Sequence, residues 1–251
     1  MMPPKSPKIV SSHSPSVPTD YLLRGQTLTL LPERALFWQE KRYLLLADSH
    51  LGKAGHFRKH GAPIPRAIHD RDLSILSALV QRWSPAALVV LGDLFHSTLN
   101  NEWQEVEQWL QQHSALPVVL VKGNHDILPE AVYAHPNLTV YPDTWEEGPF
   151  CLTHQPLVEP VLRPGGLAFP LSQIPAPALY NLAGHVHPGV RVSIGMGQRV
   201  KLPCFYFTSH VGLLPAFGQF TGCATMQQGK GNRVFAVIEG KRVVPVGAAR
   251  T

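Results

Sequence analysis

The chain has 251 residues, 44% of them apolar, which is enough for one sizeable packed domain and too many for a globally disordered chain. Its 22 Lys and Arg against 17 Asp and Glu give a net charge of +5, which permits a polyanionic partner without requiring one. No apolar run reaches the roughly 18 residues of a membrane-spanning helix, and Cys151, Cys204 and Cys223 lack CxxC spacing, so a disulfide framework or thiolate zinc site is disfavoured and a reducing cytoplasm fits.

Residues 1–20 are rich in Pro and Ser and lack the apolar segment of a secretory signal, so they read as a solvated tail ahead of a single domain over 21–251. Tyr43–Ala47, Ala87–Leu91 and Val118–Val121 are short runs, apolar on both faces, as in strands buried between two layers. Between them, Leu73, Leu76, Val80 and Trp83 predict a helix over 66–83. Trp103, Val106, Trp109 and Leu110 predict another over 101–113, opening at Asn101. The second half is strand-rich: 150–153, 180–183, 190–192, 204–207 and 234–238 carry the pattern. Alternating strands and helices followed by further strands predict an α/β sandwich with two sheets.

The apolar runs share one property. Each ends in acidic, amide or imidazole residues: Asp48-Ser49-His50, Gly92-Asp93, Gly123-Asn124-His125-Asp126, Thr153-His154 and Gly184-His185-Val186-His187. In α/β sheets the carboxyl ends of neighbouring strands converge on one edge, where ligands bind. Asp48, His50, Asp93, Asn124, His154, His185 and His187 are therefore expected in one place, offering oxygen and imidazole donors that suit Mn²⁺, Fe or Zn²⁺. Seven donors exceed one tetrahedral ion and suit two ions sharing a carboxylate. Asp48 with His50, and His185 with His187, lie two apart, so extended backbone would send each pair to one face. The preceding glycines let the backbone approach closely. An isolated histidine carries no such signal: His13, His56, His60, His69, His113 and His135 read as surface residues, and His96 and His210 as supports or caps.

The ordered blocks D-x-H, G-D, G-N-H-D, a lone His and G-H-x-H over residues 48–187 resemble the calcineurin-like metallophosphoesterases. Leu51-Gly52-Lys53-Ala54 with Phe57-Arg58, then Gly61-x-Pro63-x-Pro65, Ala183–Gly189 and Leu214–Gly222 narrow the resemblance to the bacterial ligase-associated DNA damage response endonucleases (the PdeM family) over roughly residues 25–240. Ser49 departs from the pattern, where an apolar residue is expected.

The resemblance implies a four-layer α/β/β/α sandwich with a dinuclear metal site at strand carboxyl ends. It implies Asp48, His50 and His187 on one ion, Asn124, His154 and His185 on the other, and Asp93 bridging. His125 would act on the phosphate or protonate the leaving alkoxide, oriented by Asp126. The activity implied is manganese-dependent phosphodiester hydrolysis of DNA by a two-metal-activated hydroxide, with repair partners such as a ligase, helicase or exonuclease. Lys53, Arg58 and Lys59 follow the first block and are candidates for phosphates flanking the cut, against the plainer reading of a solvated basic face. A phosphodiesterase or phosphatase for small nucleotides remains an alternative. An inactive scaffold would be expected to show a broken ligand set, and here it is intact.

Overall fold

The computed structural model describes residues 16–53, 67–95, 101–171, 177–195 and 198–247. Arg58 and Lys59 lie outside them.

The first sheet has seven strands in sequence order: β1 (Thr19–Leu23), β2 (Gln26–Leu30), β3 (Leu36–Trp38), β4 (Tyr43–Ala47), β5 (Ala87–Leu91), β6 (Val118–Val121) and β7 (Leu138–Tyr141). β1 to β4 run antiparallel as a meander, and β4 to β7 run parallel. The parallel half requires crossovers. Helix α1 (Ala67–Trp83) lies between β4 and β5, α2 (Asn101–Gln112) between β5 and β6, and the short α3 (Glu130–Tyr133) between β6 and β7.

The second sheet begins with the antiparallel pair β8 (Thr144–Glu147) and β9 (Phe150–Thr153). A separate hairpin follows, β10 (Val161–Arg163) with β11 (Gly166–Ala168). Then come β12 (Tyr180–Ala183), β13 (Pro188–Gly195), β14 (Gln198–Phe207), β15 (Val211–Leu213), β16 (Ala224–Thr225), β17 (Arg233–Ile238) and β18 (Arg242–Val246). The spatial order is β16-β13-β14-β15-β12-β9-β8, with β17 and β18 added beside β14. β9, β12 and β15 are parallel.

Side-chain alternation explains the layers. In β4, Leu44 and Leu46 face the helices, packing with Leu76, Leu79, Val106 and Trp109. Leu45 and Ala47 face the second sheet, packing with Phe150, Leu182, Phe205 and Phe207. Both faces of β4 and β5 are thus buried, which is why their sequences are unbroken apolar runs. The outer face of the second sheet holds Tyr206, Leu213, Met226 and Ala236, with Leu167 and Phe169 from the β11 region packed against them.

The two-sheet α/β sandwich stands as expected. On the outer face of the second sheet, the described residues that pack include Leu167 and Phe169 of the β10–β11 region and Met226. The described part of the domain also includes residues before 21. Val17 N–H donates to Lys241 O at 2.7 Å, Thr19 Oγ1 donates to Val243 O at 2.8 Å, and Asp20 pairs with Thr29 within β1–β2. Residues 16–20 therefore belong to the domain. Exposed tails and short edge strands have similar compositions, so the boundary was invisible in sequence. No helix among the described residues is long and apolar enough to cross a membrane.

Asp72 on α1 is buried, and its carboxylate accepts the Gln219 N–H at 3.3 Å. Burial pushes this carboxyl up to about 7, against the pull of the Gln219 N–H and Arg34. A raised folded-state value means that this group's stabilising contribution is full below its unfolded value and is lost as pH rises through about 7. Asp72→Asn keeps the acceptor and removes the titration. The variant is therefore expected to gain melting temperature relative to the native chain as pH rises from about 3.8 to about 7, with no further gain above that, and parallel pH profiles would rule the assignment out.

Candidate metal centre

The carboxyl ends of β4, β5, β6, β9 and β12 open on one edge of the sandwich, and each expected ligand follows one of them. The hydrogen-bonding ladder continues past the strands. Asp48 N–H donates to Gly92 O at 3.1 Å, His50 N–H to Asp93 O at 2.8 Å and Gly184 N–H to His154 O at 3.0 Å. The ligand loops are therefore registered on one another.

Their backbone is not extended, as the two-residue spacing had led one to expect. Asp48, His50, Asp93, His185 and His187 have φ of 51°, 46°, 53°, 64° and 49°. Left-handed conformation at residues with a Cβ is strained and is held only where surrounding structure over-determines it. Here it turns the side chains off the strand axes and into the gap between the sheets.

Two groups of donors result. In the first, His187 Nε2 lies 3.3 Å from Asp48 Oδ1 and 3.4 Å from His50 Nε2. In the second, His154 Nε2 lies 3.0 Å from Asn124 Oδ1 and 3.1 Å from His185 Nδ1. Asp93 stands between them. Its Oδ2 is 3.8 Å from His50 Nε2, and its Oδ1 is 3.5 Å from His154 Nε2. Asp48, Asp93 and His154 also meet the spacing of a common cation, as do Asp48, His50 and His187. All seven expected ligands are thus brought together.

The donor chemistry fits a metal. His154 Nδ1 sits 3.1 Å from the Leu91 carbonyl, an acceptor that suits the tautomer with its proton on Nδ1, in which Nε2 is free to ligate. Burial, then the neighbouring His154, lowers the His185 imidazole below its ordinary value and favours the neutral, ligating form. Carboxylate, carbonyl and imidazole lone pairs converge at 3–4 Å, an arrangement that a divalent cation satisfies.

Three glycines make room for these atoms. A Cβ on Gly92 would lie 2.2 Å from His154 Nδ1, one on Gly123 2.2 Å from Asp93 Oδ1, and one on Gly184 2.6 Å from Asp48 Oδ2.

Asp126 differs from expectation. Its carboxylate accepts the backbone N–H groups of Asp93 and Gly123, each at 2.8 Å, and of Phe95 at 3.3 Å. It positions the β5 and β6 loops and makes no hydrogen bond to the His125 ring. Burial pushes it up to about 6 in spite of those donors. His125 is half-buried at the lip: its backbone N–H donates to Asp93 Oδ1 at 2.9 Å and its ring centroid lies 5.5 Å from that of His50. Ser49 is buried, and its hydroxyl donates to Leu94 O at 3.0 Å, so the polar residue in an apolar position is satisfied. Lys53 is half-buried within the fields of Asp93 and Asp48, and burial lowers its ammonium. Sequence reasoning missed the Leu91 carbonyl and Gly218, whose N–H donates to Asp48 O at 3.2 Å. The Leu214–Gly222 block was the only signal for Gly218.

Gly123 does not adopt a left-handed φ, and a Cβ there would lie 2.2 Å from Asp93 Oδ1 and 2.5 Å from Asp93 N, so alanine displaces the Asp93 carboxylate and presses on the backbone that carries it. Gly123→Ala is expected to lower bound metal in elemental analysis while circular dichroism stays native. A variant with undiminished metal would show that Asp93 can move without consequence.

A family model for calcineurin-like phosphoesterases matches residues 41–189, which contain every ligand position named above. Nuclease MPE of Pseudomonas putida is 30% identical, with a TM-score of 0.70 covering 91% of this chain and 100% of that one. Yfce, a phosphoesterase from E. coli, is 16% identical, with a TM-score of 0.39 covering 82% of this chain and 98% of that one. No curated protein matches. The family match spans more than half of the chain and encloses the donor cluster, so the chain belongs to the calcineurin-like phosphoesterases and is a phosphoester hydrolase.

Proposed function

We propose that this chain is a two-metal phosphodiesterase that cuts DNA and serves a bacterial DNA repair system. The observation that carries the reading is the place of Asp93, with one carboxylate oxygen toward His50 and the other toward His154. Asp48, His50 and His187 would hold one divalent ion, Asn124, His154 and His185 would hold the other, and Asp93 would serve both. Manganese fits this oxygen and imidazole set, and iron or zinc are also compatible with it. Two such ions lower the pKa of water and offset charge on the entering and leaving oxygens of an in-line displacement.

The chain's own residues do the rest. The left-handed loops fix the ligands before substrate arrives, so little reorganisation accompanies the reaction. His125, anchored through its backbone by Asp93, faces a bound phosphate from the lip and gives its proton to the leaving alkoxide. Asp126 is a positioning residue that holds the Asp93 and Gly123 backbone. Lys53 lies within the carboxylate field of the centre and, with Arg58 and Lys59 further along, adds positive charge for flanking phosphates.

The nucleic-acid substrate is supported by the likeness to a nuclease at 30% identity. The repair setting, and partners such as a ligase, helicase or exonuclease, follow from the sequence resemblance. Free thiols at Cys151, Cys204 and Cys223 agree with a cytoplasmic location.

Two variants test the reading on a DNA oligonucleotide and on bis-p-nitrophenyl phosphate. Asp93→Asn removes charge from both ion sites, so fewer than two metals per chain and collapse of turnover are expected; two retained metals with near-native rate would sink the bridging role. His125→Ala is expected to keep its metals and lose about 10²–10⁴ in kcat on DNA. The loss should be smaller on the nitrophenyl diester, whose leaving group needs no proton. Equal losses on both substrates would count against the proton transfer.

A further inference from the structure

The strand that leaves the metal centre carries a charge arrangement that the fold does not explain. β13 begins at Pro188, directly after His187, and pairs antiparallel with β14. Val190 is buried, and Val192 and Leu202 pack on the outer core of the second sheet. The opposite face of the two strands therefore points to solvent, and it exposes Arg191, Arg199 and Lys201. Arg191 stands directly across from Lys201, and Ser193 across from Arg199. Like charges directly opposite on a sheet are destabilising. Among the described residues neither Arg191 nor Arg199 has an acidic partner. Three cations are thus kept together at a cost to the ribbon.

Their face is joined to the metal centre. Lys201 Nζ donates to Cys223 O at 2.7 Å, and Ala224 N–H donates to His187 O at 2.8 Å. A Cβ on Gly189, two residues before Arg191 and on its face, would lie 2.6 Å from Cys223 Sγ. The basic face therefore begins beside the last ligand, and at about 3.3 Å per residue Arg191 lies roughly 13 Å along the strand from His187. Two described pockets that border the centre carry no such excess. A pocket of about 330 Å³ beside His185 is lined by Glu159 without a cation, and one of about 370 Å³ beside Asn124 and His154 opposes Lys122 with Asp143.

We propose that the exposed face of the β13–β14 ribbon binds backbone phosphates of the polynucleotide on one side of the cut, through Arg191 and Arg199 with Lys201. This rests on the nuclease reading above. It assigns the substrate's path: the strand leaves the centre past His187 and runs along the ribbon, where polyanion relieves the repulsion that the free protein tolerates.

The test uses the full chain, manganese-loaded, with Arg191→Ala/Arg199→Ala, and with Arg242→Ala on β18 as a control for net charge. On a labelled DNA oligonucleotide the double variant is expected to raise KM about tenfold with kcat retained, and to flatten the log–log salt dependence by about 0.7–0.9 per lost contact. Hydrolysis of bis-p-nitrophenyl phosphate, which ends short of the ribbon, should be unchanged. Melting temperature should hold or rise, since like charges have been separated. Native KM and salt slope on DNA would overturn the proposal, as would an equal effect from Arg242→Ala. A fall in melting temperature with both substrates slowed would make the arginines structural and also overturn it. Native enzyme that hydrolyses the small diester and leaves the oligonucleotide whole would instead overturn the nuclease reading, and the ribbon proposal with it.

Discussion

Asp126 accepts three backbone N–H groups, from Asp93, Phe95 and Gly123, and this clamp ties the loop after β5 to the loop after β6. Asp93 answers by accepting the His125 N–H, so each loop holds the other through a carboxylate. Hydrogen bonds to a charged acceptor contribute about 1.5–3 kcal/mol each, and an unpaired buried carboxylate would cost more than that. The clamp fixes where Asp93 can stand, and Asp93 in turn lies between the two donor groups. The registers of β4 against β5 and of β9 against β12 bring the remaining ligands to that point.

The centre is held in strain. Left-handed backbone at a residue with a side chain costs of order 1–3 kcal/mol, and five of the seven ligand residues adopt it. The two cores flanking the first sheet, with Trp38, Phe95 and Phe150 almost fully buried, supply the rigidity that sustains this geometry.

The sequence announced the parts that chemistry makes conspicuous. β4, β5 and β6 lie between two layers, so their residues are apolar without interruption, and the polar residues that follow stand out. Other parts depend on information that residue type does not carry. β2 reads Gln-Thr-Leu-Thr-Leu, with a polar outer face that resembles a loop. The left-handed turns at Asp48 and His185 leave no trace in composition, so an extended geometry was the natural expectation. Asp126 beside His125 invited a side-chain pairing, and the backbone donors it takes become visible only when the β5 loop lies next to it. Arg191 and Lys201 are ten residues apart, and their opposition exists only once the hairpin register is set.

The loop that closes the back of the centre comes late in the chain. Phe217 N–H donates to Ala47 O and Gly218 N–H to Asp48 O, while Asp48 accepts the His185 N–H across 137 residues. A chain made from its N-terminus holds Asp48 and His50 long before their partners exist. Asp48 and His50 therefore precede by more than a hundred residues the late loops that pack against them. A chain that stops short of Gly218 lacks the backbone donor behind Asp48.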